Sequence, residues 1–285
     1  MAKKTTAPII TEISGHAVAT ITLRRPDIHN AFDDELIERL RRELQCLEND
    51  PVIRVVVIAA EGKSFSAGAD LNWMRSMAEL DYSANQKDAG QLSRLMSTLY
   101  QINKPTIAVI QGASYGGAVG LIACCDFAIA TERSSFCLSE VKIGLAPAVI
   151  SPYVVKAIGE RQARRYFISG EVIKSDKAEA INLIHERLPA EDIEQYVSQL
   201  SQQLLKNGPN AMGICKALAQ KVSNASLDTD SSDNIHHYTR DLIAQVRVSD
   251  EGQEGLSAFL EKRQPSWQVD DLKSTSPSNS DLGKL

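Results

Sequence analysis

The chain has 285 residues, of which 43% are hydrophobic, and a formal net charge of -5 at pH 7. This length is sufficient for a large hydrophobic core, either as one long domain or as a domain with a small appendage. The acidic balance excludes a broad basic field for nucleic acid or for an anionic membrane, and no apolar run is long enough to span a membrane.

Strands and helices alternate in the first half of the chain. The predicted strands are AVATITL (17–23), IRVVVIAA (53–60), TIAVI (106–110) and DFAIA (126–130). The predicted helices are 33–48, a helix from about 71, and a long stretch over roughly 85–102. This alternation implies an α/β fold with right-handed crossovers.

Helical patterns dominate from about residue 160. They are ERQARRYFIS, EDIEQYVSQLSQQLLKN, NAMGICKALAQKVSN, DNIHHYTRDLIAQVRV and EGQEGLSAFLEKR. The last helix is predicted to begin at Asp250, since Asp250 and Gln253 fit a capping box. After Trp267 the sequence is polar and rich in Ser and Pro, and we expect residues 269–285 to be disordered.

Five cysteines are present, without the spacing of a metal site or a disulfide framework. Buried thiols in a reducing compartment are the expected arrangement. The N-terminal MAKKTTAPII has no apolar stretch of secretory-signal length. We therefore expect a cytoplasmic protein.

Two glycine-rich loops each follow a predicted strand and precede a predicted helix. They are GKSFSAGAD (62–70) and QGASYGGAVG (111–120). Small residues allow a ligand to approach the backbone, and N–H groups at a helix N-terminus favour negative charge. Two such turns at neighbouring strand ends could bind one developing oxyanion, whereas either alone could be a tight packing turn.

The segment GASYG also fits the nucleophile elbow of a serine hydrolase, with Ser114 as the nucleophile. The histidines that could serve it are His185, His236 and His237. These histidines lie in helical or polar segments, and no HGGG-type oxyanion motif precedes Ser114, so the hydrolase interpretation is disfavoured.

The segments ITLRRPDIHNAF, SFSAGADL, GASYGGAVGLIACCD and SSFCLSEVKIGLAP occur in this order. Together they resemble the crotonase (enoyl-CoA hydratase/isomerase) superfamily over about residues 8–267. The resemblance implies a crotonase-like spiral of ββα units over residues 1–200 and a helical trimerisation region over 201–268. It further implies an acyl-CoA substrate, no cofactor besides the coenzyme A of that substrate, no metal, and a homotrimer or a dimer of trimers.

The resemblance also implies roles for individual residues. Ala69 and Gly117 match the backbone donors of the oxyanion hole, and the carbonyl of Ala67 matches the group that meets adenine. The implied CoA-binding or substrate-binding residues are Arg24, Arg25, Ala67, Gly68, Asp70, Leu71, Phe259 and Lys262. Of these, Phe259 and Lys262 can reach CoA across a subunit boundary in the family.

Glu140 is the main acid/base candidate. It lies between a strand-like FCL and the apolar segment VKIGLAP, and desolvation there would raise the pKa of its carboxyl towards neutrality. In typical hydratases of the family a further glutamate lies three residues after the oxyanion-hole glycine. Here that position is Gly120, which cannot move protons, so a double-bond isomerase is an alternative activity.

The segments NWMRSM and EVKIGLAPAVISPYVVKAIGERQARRYF resemble the bacterial methylglutaconyl-CoA and isohexenylglutaconyl-CoA hydratases. That resemblance implies hydration of a branched 2-enoyl-CoA with a second carboxylate, in leucine or acyclic-terpene breakdown. Tyr115, Arg75 and Lys142 are candidate partners for that carboxylate. A non-catalytic CoA-binding or RNA-binding protein of the same fold is the alternative from another class, and the acidic balance disfavours RNA.

Overall fold

The computed structural model describes residues 7–14, 17–223, 225 and 235–268. The predicted disordered tail, 269–285, lies outside the described residues. The strands are β1 (Ile9–Ser14), β2 (Val18–Leu23), β3 (Val55–Ala60), β4 (Ser64–Ser66), β5 (Thr106–Ile110), β6 (Ala113–Tyr115), β7 (Phe127–Thr131), β8 (Ser135–Cys137), β9 (Ile173–Lys174) and β10 (Glu186–Leu188). The helices are α1 (Asp34–Asn49), α2 (Leu71–Ala78), α3 (Tyr82–Gln101), α4 (Gly117–Cys124), α5 (Ser151–Ser169), α6 (Ser175–Ala180), α7 (Ile193–Leu205), α8 (Pro209–Val222), α9 (Ile235–Val248) and α10 (Asp250–Glu261).

The described strands form two sheets. The larger sheet has the order β1-β2-β3-β5-β7-β10, and the smaller sheet has the order β4-β6-β8-β9. Within the larger sheet only the β1–β2 pair is antiparallel, and within the smaller sheet only the β8–β9 pair is antiparallel. The three central turns of the chain, which begin with β3, β5 and β7, each add one strand to the larger sheet, one strand to the smaller sheet and then at least one helix. This order confirms the predicted spiral of ββα units.

The central strands of the larger sheet are covered on both faces, which explains the nearly continuous apolar run of β3. Val56 and Ile58 face the main core with the helices α1, α3, α4 and α5. Val55 and Val57 face a second cluster that contains Ile193 of α7. Alternate residues of one strand therefore join two cores.

The structure corrects two predictions about elements and adds one strand. The helix predicted from Asp250 does begin there, but its N-cap is Ser249, whose hydroxyl accepts a hydrogen bond from the Gly252 N–H at 3.1 Å. Strand β1 was not predicted from the sequence. The stretch after residue 160 is also less uniformly helical than predicted, because β9 and β10 interrupt it.

Candidate active site

The smaller sheet brings three segments of the predicted site to one edge. Strands β4, β6 and β8 are parallel neighbours, with Ser66 paired to Ser114 and Tyr115 paired to Cys137. Since parallel strands end at the same edge of a sheet, the loops that follow them lie side by side. These loops carry the two glycine motifs and Glu140. The sequence predicted that the two glycine motifs lie at neighbouring strand ends.

Phe32 holds the first loop through its backbone. Its N–H donates to the Gly68 carbonyl at 2.7 Å, and its carbonyl accepts from the Asp70 N–H at 2.8 Å. In this parallel bridge the residue between them, Ala69, directs its own N–H away from Phe32. Gly68 has φ 90°, and a Cβ there would lie 3.0 Å from the Tyr115 carbonyl oxygen, so the loop requires glycine at that position.

The second loop ends at the N-terminus of α4. Gly116 has φ 53° and donates its N–H to the Cys137 carbonyl at 2.9 Å. Gly117 is the first residue of α4, so its N–H has no acceptor within the helix and lies at the positive end of the helix dipole. A Cβ on Gly117 would lie 3.3 Å from the Phe32 ring, so Phe32 supports both loops.

Glu140 lies beside the second loop. It begins a short 3₁₀ turn, Glu140–Ile143, and a Cβ on Gly116 would lie 3.2 Å from its Oε1 atom. Its Oε2 atom is buried and has no hydrogen-bond partner among the described residues. Burial raises the pKa of this carboxyl, and a hydrogen bond from its own backbone opposes the rise. A carboxyl with a raised pKa exchanges protons closer to neutrality.

The structure also explains the missing carboxylate at Gly120. A Cβ on Gly120 would lie 2.2 Å from Cγ2 of Ile150 and 3.5 Å from Sδ of Met96. Ile150 is 2% exposed and belongs to the main core. A glutamate at position 120 would therefore need more than a change of one residue, because Ile150 fills the space for its side chain.

The two arginines of the predicted CoA site have different surroundings. Arg25 forms an ion pair with Asp33 and donates to the Ala31 carbonyl, so its guanidinium fixes the loop before α1. Arg24 is 44% exposed and pairs with Glu61 at 3.2 Å. The structure therefore leaves Arg24, rather than Arg25, accessible to a phosphate.

The other predicted residues of the first loop lie at its surface or cap a helix. Ala67 is exposed, and Leu71 is 69% exposed. Asp70 is the N-cap of α2 and accepts from the N–H groups of Asn72 and Trp73 at 2.8 and 3.1 Å. The carboxylate of Asp70 thus has a structural role that its motif did not reveal.

Phe259 and Lys262 lie at the end of α10, a helix that packs against α9. Phe259 is 81% exposed, and Lys262 adopts the left-handed conformation as the C-cap of α10. Within the described part of one chain, no contact brings either residue to Glu140. Their predicted contact with CoA remains a prediction.

The three candidates for binding a distal carboxylate have different surroundings. The Arg75 guanidinium donates to Oδ1 of Asn72 at 3.1 Å on the exposed side of α2. The Lys142 side chain extends along Gly170, because a Cβ on Gly170 would lie 3.0 Å from its Cε atom. Tyr115 is half-buried at the end of β6. Their roles remain predictions.

The structure does not assemble the serine-hydrolase alternative. Ser114 is fully buried in β6, and its hydroxyl has no hydrogen-bond partner among the described residues. Nδ1 of His185 accepts a hydrogen bond from the Ala128 N–H at 3.0 Å. Ser114 and His185 therefore do not form the nucleophile–base pair of such an enzyme.

Sequence reasoning missed two features of this region. Phe32 supports both loops mainly through backbone groups, which leave no signature in the side-chain sequence. Trp73 of α2 donates its indole N–H to Oδ1 of Asp88 on α3 at 3.2 Å, although the two residues are 15 positions apart. A lone Trp and a lone Asp on separate helices carry no motif.

Two cavities lie away from the glycine loops. One of about 760 Å³ is bordered by Arg54, Lys104 and Gly213, and one of about 390 Å³ is bordered by residues of α8, α9 and α10. In the first, Arg54 donates to the Trp267 carbonyl at 2.8 Å and Lys104 donates to the Asp50 carbonyl at 2.6 Å. These cations bind the chain's own carbonyls, so we assign them to packing.

The described residues contain no cluster of three or more His, Cys, Asp or Glu side chains that could hold a metal ion. In that same part of the chain, no helix has the length and hydrophobicity needed to cross a membrane.

Comparison with known proteins places this geometry among acyl-CoA enzymes. The family model for enoyl-CoA hydratase/isomerase matches residues 14–270. The chain is 30% identical to the 2,3-dehydroadipyl-CoA hydratase of Escherichia coli, over 88% of this chain and 94% of that protein. It is 45% identical to an enoyl-CoA hydratase from Shewanella pealeana, whose crystal structure superposes with a TM-score of 0.87 over 91% of this chain and 96% of that chain.

Proposed function

Because the chain belongs to the enoyl-CoA hydratase/isomerase family and is a hydratase-type lyase, we propose that its substrate is a branched 2-enoyl-CoA with a second carboxylate. The proposed compound is 3-methylglutaconyl-CoA or a related glutaconyl-CoA, formed in leucine or acyclic-terpene breakdown. The relative from Escherichia coli is named for 2,3-dehydroadipyl-CoA, whose acyl group also carries a distal carboxylate. That name supports a dicarboxylic substrate class.

The proposed mechanism begins at the two loops. The thioester carbonyl accepts hydrogen bonds from the Ala69 and Gly117 N–H groups, which stabilises the enolate that forms when water attacks. Loss of one such donor typically costs about 3 to 4 kcal/mol of barrier. Water adds its oxygen to C3, C2 gains a proton, and Glu140 carries the proton between them.

The observation that carries the proposed hydration mechanism is the buried Oε2 atom of Glu140. It has no hydrogen-bond partner among the described residues, and the carboxyl lies against Gly116, next to the donor Gly117. A buried polar atom without a partner is costly unless a ligand or water satisfies it. The reacting water or the substrate would supply that partner.

A matched pair of substrates tests the proposal. We expect kcat/KM for 3-methylglutaconyl-CoA to exceed that for 3-methylpent-2-enoyl-CoA, in which a methyl group replaces the distal carboxylate. The ratio should be at least about tenfold, because one charge-assisted hydrogen bond contributes about 1.5 to 3 kcal/mol. Equal rates on the two substrates would remove the distal carboxylate from the proposal.

The Glu140→Gln variant is the control for catalysis. It should lower the hydration rate by about 10² to 10⁴, the usual contribution of a positioned acid/base group. A variant with hydration close to that of the wild type would show that another group handles the proton.

A double-bond isomerase is the second candidate, and the Gly120–Ile150 contact favours it. One carboxylate suffices to move a proton between two carbons, and Ile150 leaves no space for a carboxylate from position 120. Incubation of 3-enoyl-CoA and 2-enoyl-CoA substrates in H₂¹⁸O separates the two reactions. Hydration incorporates ¹⁸O into a 3-hydroxyacyl-CoA, whereas isomerisation moves the double bond without incorporation.

We further propose that the protein acts as a homotrimer or a dimer of trimers. Leu256, Phe259 and Leu260 are 49%, 81% and 77% exposed on α10, and their spacing places them on one face of that helix. A second copy of the chain would bury this face. The cytoplasm stays the proposed location, supported by the five free cysteines, three of them buried.

A further inference from the structure

Asp88 lies on the helix that packs against the oxyanion loop. A Cβ on Gly120 would lie 3.5 Å from Sδ of Met96, and a Cβ on Gly117 would lie 3.9 Å from Cδ2 of Leu92. Positions 88, 92 and 96 share one face of α3, since residues four apart are neighbours on a helix. Asp88 is therefore one turn, about 6 Å, beyond the residue that contacts Gly117.

This register places Asp88 in front of the N-terminus of α4, because α4 begins at Gly117. Because the first N–H groups of a helix point outward along its axis, the Gly117 N–H is directed towards that side of α4. From the other side, Trp73 donates its indole N–H to Oδ1 of Asp88 at 3.2 Å. Trp73 is on α2, which starts two residues after Ala69. Asp88 is thus bracketed by the elements that follow both loops.

We propose that Asp88, oriented by Trp73, is the second carboxyl group of the acyl pocket and binds the reacting water opposite Glu140. This inference rests on the proposed function. The chain would then supply from α3 a carboxylate that Ile150 prevents α4 from carrying at position 120. Trp73 engages Oδ1, and Oδ2 has no hydrogen-bond donor within the described part of the chain.

The role is that of a hydrogen-bond acceptor. The water places its oxygen on C3 and delivers a proton to C2 through Glu140, so Asp88 neither gains nor loses a proton over a turnover. Burial raises the pKa of the Asp88 carboxyl, the Trp73 hydrogen bond lowers it, and the negative charge of Asp34 on α1 raises it. The ionised carboxylate is the stronger acceptor for the water, because its charge strengthens the hydrogen bond, so the titration of Asp88 should appear in the rate.

Kinetics of three variants test the role. Asp88→Asn should lower kcat at least tenfold, with a smaller change in KM, and should remove one ionisation from the acid limb of the kcat/KM profile. Trp73→Phe should lower kcat by a smaller factor and should shift the pKa of that ionisation, because it leaves Asp88 in place but removes its hydrogen-bond donor. Glu79→Gln, which removes an exposed charge just after α2, should match the wild type.

A binding measurement separates this inference from the proposed function, because it needs no turnover. The chain has two tryptophans, so the Trp267→Phe variant makes Trp73 the sole reporter. Its fluorescence should titrate with Asp88, and the titration should vanish in Trp267→Phe/Asp88→Asn. A saturated acyl-CoA should shift the midpoint of this pH titration, whereas CoA alone should leave the midpoint unchanged.

The outcomes are distinct. If the protein hydrates enoyl-CoA but Trp73 does not respond to a saturated acyl-CoA, Asp88 is outside the pocket and the inference is wrong. The inference is also wrong if Asp88→Asn lowers stability and leaves the pH profile unchanged. If Trp73 responds but no enoyl-CoA is hydrated, the placement of Asp88 stands and the proposed function fails.

Discussion

Glu140 combines a chemical advantage with a cost in stability. Its carboxyl is partly buried between the end of β8 and Gly116, and its Oε2 atom has no partner among the described residues. The same desolvation that raises its pKa disfavours the charged form in the folded state. Active-site carboxylates commonly carry such a cost, because catalysis requires a pKa closer to neutrality.

We expect Glu140→Gln to be more stable than the wild type at pH 7.5, although it is much less active. The raised pKa means that the stability contributed by the Glu140 proton is fully present below the pKa of the unfolded chain. It is lost as pH rises through the pKa of the folded state. Urea unfolding at pH 7.5 and pH 4 should therefore show an advantage of the variant that shrinks in acid.

Glu79→Gln provides the comparison, since Glu79 is exposed just after α2. Its stability should follow the wild type at both pH values. An equal stability of Glu140→Gln and the wild type at pH 7.5 would contradict the desolvation of Glu140.

At the scale of single residues, the sequence predicted the groups that lie next to motifs. The two loops could be recognised because they are short and rich in small residues, whereas the roles predicted for Ala69 and Gly117 came from the family resemblance. Glu140 was chosen for its apolar neighbours in sequence and for its match to the family. Which of Arg24 and Arg25 is accessible to a ligand could not be predicted, because the answer depends on the position of Asp33 relative to the guanidinium of Arg25. The Trp73–Asp88 hydrogen bond was beyond prediction for the same reason, since it joins two helices.

At the scale of elements, the close approach of α4 to the residue that precedes α5 depends on Gly120. A Cβ there would lie 2.2 Å from Cγ2 of Ile150, which is 2% exposed. Overpacking of a core typically costs about 1 to 3 kcal/mol. The helix α4 therefore tolerates neither a glutamate nor a methyl group at position 120 without movement of Ile150.

We expect Gly120→Ala to destabilise the protein by about 1 to 3 kcal/mol, because of this overlap. Gly90→Ala is the matched control in helix α3, where the nearest atom to a new Cβ is the Arg94 guanidinium at 3.4 Å. That substitution should stabilise by about 0.5 to 1 kcal/mol, the usual gain from replacing a helical glycine by alanine. Urea unfolding measures both changes.

The double variant Gly120→Ala/Ile150→Ala tests whether Ile150 is the cause. Its loss of stability should be smaller than the sum of the two single losses, by about 0.5 to 3 kcal/mol, because the second change relieves the first. Additive losses would show that the strain lies elsewhere around α4.

Long apolar elements were predictable from the sequence, whereas short ones were not. The strand predicted over 106–110 has these bounds in the structure. Strands β4 and β6 have three residues each within glycine-rich segments, so neither alternation nor length marks them. The last helix shows the limit of cap prediction, because Ser249 and Asp250 are both good N-cap residues and only geometry selects Ser249.

At the scale of the whole molecule, the spiral path assembles the site. Each of the three turns that begin with β3, β5 and β7 passes through the larger sheet and then the smaller sheet, so loops distant in sequence meet at one edge of the smaller sheet. The alternation of strands and helices predicted the α/β class. The spiral of ββα units followed from the family resemblance and not from the alternation, because the second strand of each unit is too short to recognise. The division of the strands into two sheets was not predicted.

The exposed apolar face of α10 is the surface that the proposed assembly would bury. We expect the wild type to elute as three or six copies in size-exclusion chromatography with light scattering. Leu260→Asp should shift it towards smaller species, because it places a charge where about 1.5 to 3 kcal/mol of apolar burial per copy is expected. Ile13→Asp, in the edge strand β1 where Ile13 is 56% exposed, should leave the mass unchanged. A wild type that elutes as a monomer would contradict the proposed assembly, and it would also leave Phe259 without a neighbouring active site to reach.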